Sequence, residues 1–328
     1  MSHGLHNALA RANANIAFIK YWGNRDDELR LPANASLSMT LEGLFAQTAV
    51  TWQSTSDDTF LLNGQPQTGE PLRRVSAHLD VLRRRLSLDA RAYVESRNNF
   101  PTGAGIASSA AAFAALTVAG VAAAGAALDE RELTRLARLG SGSAARSIPA
   151  GFVEWHAGTS HEESYAESVF PPDYWDLVDV IAVVSREHKP VGSTAGHRSA
   201  LTSDLQAARV AGAYHRLNIC KEAIAARDFS RFAHIVELDS NLMHAVMMTS
   251  DPPLFYWQPA SLMIMNLVRQ WRAEGLRVCY TLDAGPNVHC ICLAEDASVI
   301  AERLRTIPQV LEIFSARPGD KARVVSIP

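Results

Sequence analysis

A glycine- and serine-rich stretch at residues 99–109, Asn-Phe-Pro-Thr-Gly-Ala-Gly-Ile-Ala-Ser-Ser, comes directly before a helical pattern and has the chemistry to bind phosphate. Gly103 and Gly105 would let the backbone approach a ligand without a Cβ clash. The helix N-terminus would offer free N–H groups and a partial positive charge to an anion. Ser108 and Ser109 add hydroxyl groups, one of which could contact Mg²⁺. The stretch lacks the Gly-Lys-Ser/Thr of a Walker A motif, so alone it indicates only anion binding.

Three charged residues elsewhere in the chain could act on a bound phosphate. Lys20 stands in the apolar run Ile-Lys-Tyr-Trp, where a buried charge is costly without a partner, and an acid such as Asp283 would supply that partner. Arg146 follows a second turn of small residues at 140–145, and its guanidinium is suited to bidentate binding of phosphate or carboxylate. Asp283 lies in an Asp-Ala-Gly-Pro turn, where a lone Asp usually caps backbone N–H groups.

The elements that must position these residues are strands and helices mixed along the chain. Periodicity predicts strands at residues 14–21, 35–41, 45–52, 59–62, 91–96, 177–185, 277–282, 288–293 and 322–327. It predicts helices at 71–86, 106–128, 129–139, 262–274 and 297–305, and mostly helix over 202–248. The mixture favours an α+β fold over a doubly wound sheet. The softest boundary, near 185–196, divides the chain into domains of residues 1–188 and 189–328.

Composition excludes several classes of function. The 328 residues carry a formal net charge of −3 and no dense basic run, which argues against nucleic acid or an anionic membrane as a partner. The four cysteines include no C-x-x-C pair, which argues against zinc and fits a reducing cytoplasm. The uncharged run 106–128 is long enough to span a bilayer, but its alanines favour a buried helix. The N-terminus lacks the layout of a signal peptide.

Several motifs, in order along nearly the whole chain, resemble those of the mevalonate diphosphate decarboxylase family of the GHMP kinase superfamily. They lie at residues 15–23 (Asn-Ile-Ala-Phe-Ile-Lys-Tyr-Trp-Gly), 31–38 (Leu-Pro-Ala-Asn-Ala-Ser-Leu-Ser), 98–109, 140–147 with 151–155, 239–241 with 244–245, and 283–287 (Asp-Ala-Gly-Pro-Asn). The resemblance implies a two-lobed fold, with an N-terminal mixed β-sheet and its helices, and a C-terminal ferredoxin-like α/β sandwich. It also implies ATP and Mg²⁺ as cofactors and a homodimer.

The resemblance assigns a role to each matching residue. ATP would be bound by Ser96, Asn98, Pro101, Gly103, Ala104, Gly105, Ala107, Ser108 and Ser109, with Ser109 also near Mg²⁺. Substrate would be bound by Asn15, Tyr21, Asn24, Arg74, Ser141, Ser143, Ser193 and His197. Asp283, Lys20 and Arg146 would be catalytic. Asp283 would orient or deprotonate the 3-hydroxyl of the substrate, which ATP phosphorylates before phosphate and CO₂ leave. Such chemistry needs fixed cations and helix N-termini around the moving charge.

Two positions depart from the family pattern. The family usually has lysine where this chain has Asn24, and methionine where it has His197. Losing a lysine that faces the diphosphate favours a substrate with one phosphate fewer, mevalonate 5-phosphate, and isopentenyl phosphate as the product. The alternative is that the substrate remains the diphosphate. The same residues leave open a kinase that stops at the 3-phosphate, a nucleotide sensor without catalysis, and a decarboxylase that acts without ATP. The polar stretch 156–167 is a candidate lid.

Overall fold

The computed structural model describes residues 7–100, 108–187 and 191–326, without the side chains of residues 193 and 194. The strands are β1 (Asn7–Ile19), β2 (Asn24–Asp26), β3 (Leu31–Pro32), β4 (Ser36–Gln53), β5 (Thr59–Leu62), β6 (Gln65–Pro66), β7 (Arg91–Asn98), β8 (Phe152–Trp155), β9 (Ala166–Phe170), β10 (Leu177–Val183), β11 (Val278–Thr281), β12 (Val288–Leu293), β13 (Glu312–Ala316) and β14 (Arg323–Val325). The helices are α1 (Gly69–Leu86), α2 (Ser108–Ala123), α3 (Glu130–Gly140), α4 (Ser193–Ser199), α5 (Gln206–Ala211), α6 (Ala213–Ala226), α7 (Phe229–Met248), α8 (Pro259–Ala273) and α9 (Ala297–Arg305), with 3₁₀ helices at Gly142–Ser147 and Ala200–Thr202. The predicted α+β class is confirmed.

The long antiparallel pair β1–β4 is the centre of the N-terminal sheet, whose strand order is β14-β1-β4-β7-β5-β6, with β8 and β9 branching from β4. Two separate strands were expected where β4 runs unbroken. The pairing steps from Asn13 opposite Phe45 to Ala14 opposite Leu41, so residues 42–44 form an irregularity inside one strand. The Glu-Gly-Leu sequence there predicts a break, but a bulge lets a strand absorb extra residues and continue.

The alanine-rich helix α2 packs on the face that β1 and β4 present. Its small side chains allow a close approach, because the Trp52 indole lies against the helix and donates from Nε1 to the carbonyl of Gly120 at 2.9 Å. A Cβ built on Gly120 would stand 2.7 Å from Leu82 Cδ1. The expected buried helix is therefore found. None of the helices in the described ranges has the length and apolarity that a membrane span requires.

The second sheet has the order β11-β12-β10-β13 and is antiparallel throughout. One of its faces packs on α8 and α9, and Cys290 and Cys292 point into that core, as expected from their shared strand face. Its other face joins the core of the first sheet, to which Ile181 and Ile291 contribute. The two sheets thus share a buried interface, and β14 returns the end of the chain to pair with β1.

Two glycines with similar positive φ angles allow the cost of backbone strain to be distinguished from the cost of a steric clash when each is replaced by alanine. Gly125 has φ +67° and nothing within 4 Å of a built Cβ, whereas Gly151 has φ +70° and a Cβ position 2.4 Å from the Phe170 carbonyl oxygen. We expect Gly125→Ala to lower the free energy of unfolding by about 1 kcal/mol through strain alone. Gly151→Ala should cost about 1–3 kcal/mol more, because backbone must move. Urea unfolding at constant m-value measures both, and equal losses would contradict the steric explanation.

Candidate functional site

A cavity of about 730 Å³ lies where the two sheets meet. Its walls come from the end of β1, from α1, from the N-terminal turn of α2, from the 3₁₀ helix Gly142–Ser147, from α4 and from the turn after β11. Part of its lining is apolar and includes Phe60, Leu62, Val94 and Leu116. The lining also carries Lys20, Arg146 and Asp283. This mixture suits a ligand that has an apolar part and several anionic groups.

Lys20 and Asp283 form the ion pair expected from the cost of burying a lysine. Lys20 follows the last residue of β1 and is 1% exposed, and its Nζ donates to Asp283 Oδ1 at 2.7 Å. Burial lowers the pKa of Lys20, and the charge of Asp283 opposes that shift. Burial raises the pKa of Asp283, but the charges of Lys20, His289 and Arg146 outweigh it, so the net pKa lies below the ordinary value. Asp283 is therefore a carboxylate at neutral pH.

The backbone that carries Lys20 is held by charged side chains from the helices behind it. Asp239 Oδ2 accepts from the Lys20 N–H at 2.6 Å, and its other oxygen accepts from Arg216 Nε at 2.6 Å. Arg209, 2% exposed, donates to the carbonyls of Lys20 at 2.8 Å and Trp22 at 3.2 Å. Because these contacts fix the backbone on both sides of Lys20, they fix the direction of its side chain.

Arg146 is a buried cation whose partners do not neutralise it. It is 3% exposed, its Nη1 donates to Ser36 Oγ at 2.7 Å, and its Nε has no hydrogen-bond partner among the described residues. Burial lowers the pKa of Arg146 to about 10, and the charge of Asp283 works in the opposite direction. No carboxylate in the described ranges lies within 4.0 Å of it. A buried guanidinium with an unused donor is prepared for an anion.

The structure brings most of the expected site residues to the cavity wall. On the wall lie Lys20, Tyr21, Arg74, Ser96, Asn98, Ser108, Ser109, Ser141, Ser143, Arg146, His197 and Asp283. Pro101, Gly103, Ala104, Gly105 and Ala107, and the side chain of Ser193, lie outside the described residues. Asn15 is absent from the wall, and it instead donates to Ser147 Oγ at 2.8 Å and to the Ser143 carbonyl at 3.2 Å. Asn15 therefore supports the 3₁₀ helix that carries Arg146.

Asn24 is also absent from the cavity wall. Its Oδ1 accepts from Tyr21 Oη at 2.5 Å, and its Nδ2 donates to Asp27 Oδ1 at 2.7 Å, so both ends of the amide have protein partners. His197 does lie on the wall. Its ring stacks on Tyr21 with centroids 4.1 Å apart, and its Nδ1 accepts from the Gly23 N–H at 3.0 Å. With Nδ1 an acceptor, the proton of a neutral His197 is on Nε2.

Sequence reasoning missed several wall residues, among them Arg30, Glu70 and the apolar residues of β5 and β7. Arg30 belongs to a polar run, Arg-Asp-Asp-Glu-Leu-Arg, that has the composition of a solvated turn. Glu70 begins an amphipathic helix, where an acid near the N-terminus needs no further explanation. Phe60 and Val94 have the pattern of ordinary core residues. Periodicity finds the elements but does not tell which of their apolar residues border a cavity.

Carboxylate donors for a metal are few on the wall. In the part of the chain that the structure describes, no group of three or more His, Cys, Asp or Glu is arranged to hold an ion. The carboxylates on the wall are those of Glu70 and Asp283, and its hydroxyls include Ser109 at the start of α2, whose Oγ lies 3.3 Å from Ser141 Oγ. Mg²⁺ commonly takes one or two protein oxygens and completes its shell with phosphates and water. The site therefore fits a magnesium ion that a phosphate ligand brings with it.

Comparisons with known proteins agree along the chain. The family model described as diphosphomevalonate decarboxylase-like N-terminal domain matches residues 12–166, and the one described as mevalonate 5-diphosphate decarboxylase C-terminal domain matches residues 179–321. Diphosphomevalonate decarboxylase mvd1 of Aspergillus fumigatus is 40% identical, over 92% of this chain and 81% of that relative.

Solved structures agree with these matches. A structure of the mevalonate diphosphate decarboxylase from Enterococcus faecalis, described by its mevalonate diphosphate-mediated ATP binding mechanism, has a TM-score of 0.91 at 36% identity, covering 98% of this chain and 99% of its own. The complex described as MDDEF with MVAPP, AMPPCP and magnesium has a TM-score of 0.92 at 36% identity, with the same coverage. The two-lobed fold expected from the motifs is confirmed.

The expectation of a monophosphate substrate, and of a separate mevalonate 5-phosphate branch, is wrong. The relatives that match most of the chain, from Aspergillus fumigatus to human, are diphosphomevalonate decarboxylases. The physical reason lies in the premise about Asn24. That residue is off the cavity wall with both amide ends occupied, so its lack of charge does not report on the anionic end of the substrate.

Proposed function

We propose that this chain, which belongs to the diphosphomevalonate decarboxylase family, converts mevalonate 5-diphosphate and ATP to isopentenyl diphosphate, CO₂, ADP and phosphate. The observation that carries the proposal is the buried Lys20–Asp283 pair, 2.7 Å long, on the wall of a cavity that also holds the un-neutralised Arg146. A carboxylate next to two fixed cations is what the phosphorylation of a hydroxyl needs.

ATP occupies the long axis of the cavity in this proposal. The purine lies at the apolar end, between Phe60 and Leu116, and the phosphates approach the N-terminal turn of α2. There the positive end of the helix dipole and the hydroxyls of Ser108 and Ser109 favour negative charge. Magnesium, with Ser109 as a protein donor, would neutralise charge on the nucleotide phosphates. The complex of a related protein with AMPPCP and magnesium supports ATP and magnesium as the ligands.

Asp283 orients the 3-hydroxyl of the substrate toward the γ-phosphate. Its pKa lies below the ordinary value, so it is a weak base, and its main effect is positioning. Phosphoryl transfer through a loose transition state places little demand on a base. The ammonium of Lys20, 2.7 Å from Asp283, stabilises negative charge on the moving phosphoryl group.

Decarboxylation follows from the same placement of charge. The C3–O bond to the new phosphate breaks, and positive charge develops at C3. The bond between C2 and the carboxylate then supplies its electron pair to form the double bond, and CO₂ leaves. Arg146, held by Ser36, binds the carboxylate until that step. The charge of Lys20 stabilises the departing phosphate. The balance is one ATP converted to ADP, with one CO₂ and one phosphate released, and the proton of the 3-hydroxyl ends on that phosphate.

Steady-state kinetics with both candidate substrates tests the proposal. We expect a higher kcat/KM with mevalonate 5-diphosphate than with mevalonate 5-phosphate, and one CO₂ for each ADP, because the cavity supplies cations for every anionic group of the larger substrate. A higher kcat/KM with the monophosphate would contradict the choice of substrate. Accumulation of a 3-phosphate without CO₂ would identify a kinase, and absence of turnover with bound nucleotide would identify a sensor.

We also propose that the protein is a cytoplasmic homodimer. The motif resemblance supports the dimer, and sedimentation equilibrium would test it. The four cysteines are free and buried, which fits a reducing cytoplasm.

A further inference from the structure

Arg30 is a cation on the cavity wall that the motifs of this chain do not single out. It lies between β2 and β3 with φ +47°, and its Nε donates to the Leu139 carbonyl at 2.9 Å. That bond anchors the guanidinium next to the turn of small residues that begins at Gly140. In the described ranges no carboxylate lies within 4.0 Å of Arg30, and no hydrogen bond occupies its two terminal nitrogens.

Arg30 is held close to other groups that its charge disturbs. Burial is the main cause that lowers the pKa of Arg74, and the charge of Arg30 is the next. Burial raises the pKa of Tyr21, and the charge of Arg30 is the strongest influence in the opposite direction. Two guanidinium groups facing one space repel each other, and a bound anion would remove that cost.

The cations of the cavity fall into two groups. Lys20 and Arg146 both act on Asp283, where the hydroxyl reacts. Arg30 instead adds to the effect of burial in lowering the pKa of Arg74 and of His78, on which neither Lys20 nor Arg146 acts, and it shares with Arg146 an influence on Tyr21 between the two groups. Mevalonate 5-diphosphate is anionic at two ends, a carboxylate near the reacting carbon and a diphosphate four bonds away. Two groups of cations at different parts of one cavity match that distribution of charge.

We propose that Arg30, anchored by Leu139, binds the terminal phosphate of the substrate's diphosphate through its two terminal nitrogens. The assignment rests on the proposed function. Guanidinium binds phosphate through two parallel N–H···O bonds, a geometry that requires the orientation of the group to be fixed. The Nε bond to Leu139 fixes it while both Nη groups remain available.

Arg30→Gln tests the assignment. It should lower kcat/KM for mevalonate 5-diphosphate at least tenfold, mainly through KM, and change kcat/KM for mevalonate 5-phosphate less than threefold. The KM for ATP should stay within twofold. Arg30→Lys, which keeps the charge without the bidentate geometry, should recover part of the loss. Arg25→Gln is the matched control, because Arg25 lies on the same hairpin, donates to the Gly158 carbonyl at 2.9 Å and is off the cavity wall; it should behave like wild type.

Equal losses with both substrates, or a rise in the KM for ATP alone, would overturn the role of Arg30. Competition by inorganic pyrophosphate keeps this result separate from the proposed function. Wild type should bind pyrophosphate at least tenfold more tightly than Arg30→Gln, whichever substrate it prefers in turnover. Equal binding by the two proteins would overturn the assignment. If wild type does not turn over mevalonate 5-diphosphate but still binds pyrophosphate more tightly than Arg30→Gln, the proposed substrate is wrong and the role of Arg30 stands. Matched thermal unfolding of Arg30→Gln and Arg25→Gln excludes misfolding as the cause.

Discussion

Replacing Asp283 with Asn should reduce kcat by about 10³-fold, because the change removes the carboxylate that, in the proposed function, orients the hydroxyl, and that pairs with Lys20. The side chain keeps its size, so packing around the turn is preserved. Lys20 is 1% exposed and loses its ion-pair partner at 2.7 Å. The substrate KM should change much less than kcat, since Arg146 and the remaining wall cations still bind the anionic groups.

The pH dependence of the residual activity gives a second readout. Burial lowers the pKa of Lys20, while both the charge and the hydrogen bond of Asp283 raise it. Without Asp283 the pKa of Lys20 must fall further, so protonated Lys20 is lost at a lower pH. The decline of kcat at alkaline pH should therefore begin at a lower pH in Asp283→Asn than in wild type. A decline at the same pH in both proteins would contradict the coupling between Lys20 and Asp283.

Asp296→Asn is the control for this substitution. Asp296 is another largely buried aspartate of the second lobe, and it does not line the cavity. Its Oδ2 accepts a hydrogen bond from Arg277 Nε at 3.0 Å. The substitution should change kcat less than twofold. Wild-type turnover by Asp283→Asn would contradict the role of Asp283 in orienting the hydroxyl.

Breaking the buried pair between Arg216 and Asp239 should have the largest effect on stability. The side chains are 8% and 0% exposed, and the nitrogen and oxygen are 2.6 Å apart. Arg216→Met leaves the charge of Asp239 with fewer partners in the interior, and we expect a loss of about 3–5 kcal/mol in the free energy of unfolding. Because Asp239 also accepts from the Lys20 N–H, kcat should fall in the protein that remains folded.

Arg231→Met is the matched control for the buried pair. Arg231 on α7 forms an ion pair with Glu222 on α6 at the same distance, 2.6 Å, but the two side chains are 45% and 62% exposed. Its loss should cost about 0–1 kcal/mol, because water and salt screen an exposed pair. Urea unfolding of the two variants measures the difference directly. Similar losses would mean that burial of Asp239 is not what makes its pair important.

The sequence is most informative where burial and charge conflict. Lys20 in an apolar run demands an acidic partner, for which Asp283 is a candidate in the sequence, and the structure shows that contact. The small residues of α2 predict close packing in the same way, and Trp52 lies against them. Such predictions succeed because the physical cost is local and can be read from one segment.

Positions whose role depends on distant chain are not predictable in this way. Arg30 looks solvated until Leu139 and Arg74 are brought beside it. Asn24 looks like a lost charge until its amide is found bound to Tyr21 and Asp27. Strand β13 has almost no burial alternation, since only its last residue is buried, and pairing with β10 rather than propensity places it.

Lys20 and Asp283 are 263 residues apart in the chain and follow strands of different sheets. Synthesis proceeds from the N-terminus, so the strands and helices that carry most of the cavity wall are made before Asp283. If Asp283 has the role proposed above, a growing polypeptide that has buried most of its first sheet still lacks the carboxylate that orients the hydroxyl. The edge of β1 is likewise paired only when the last strand, β14, has been made.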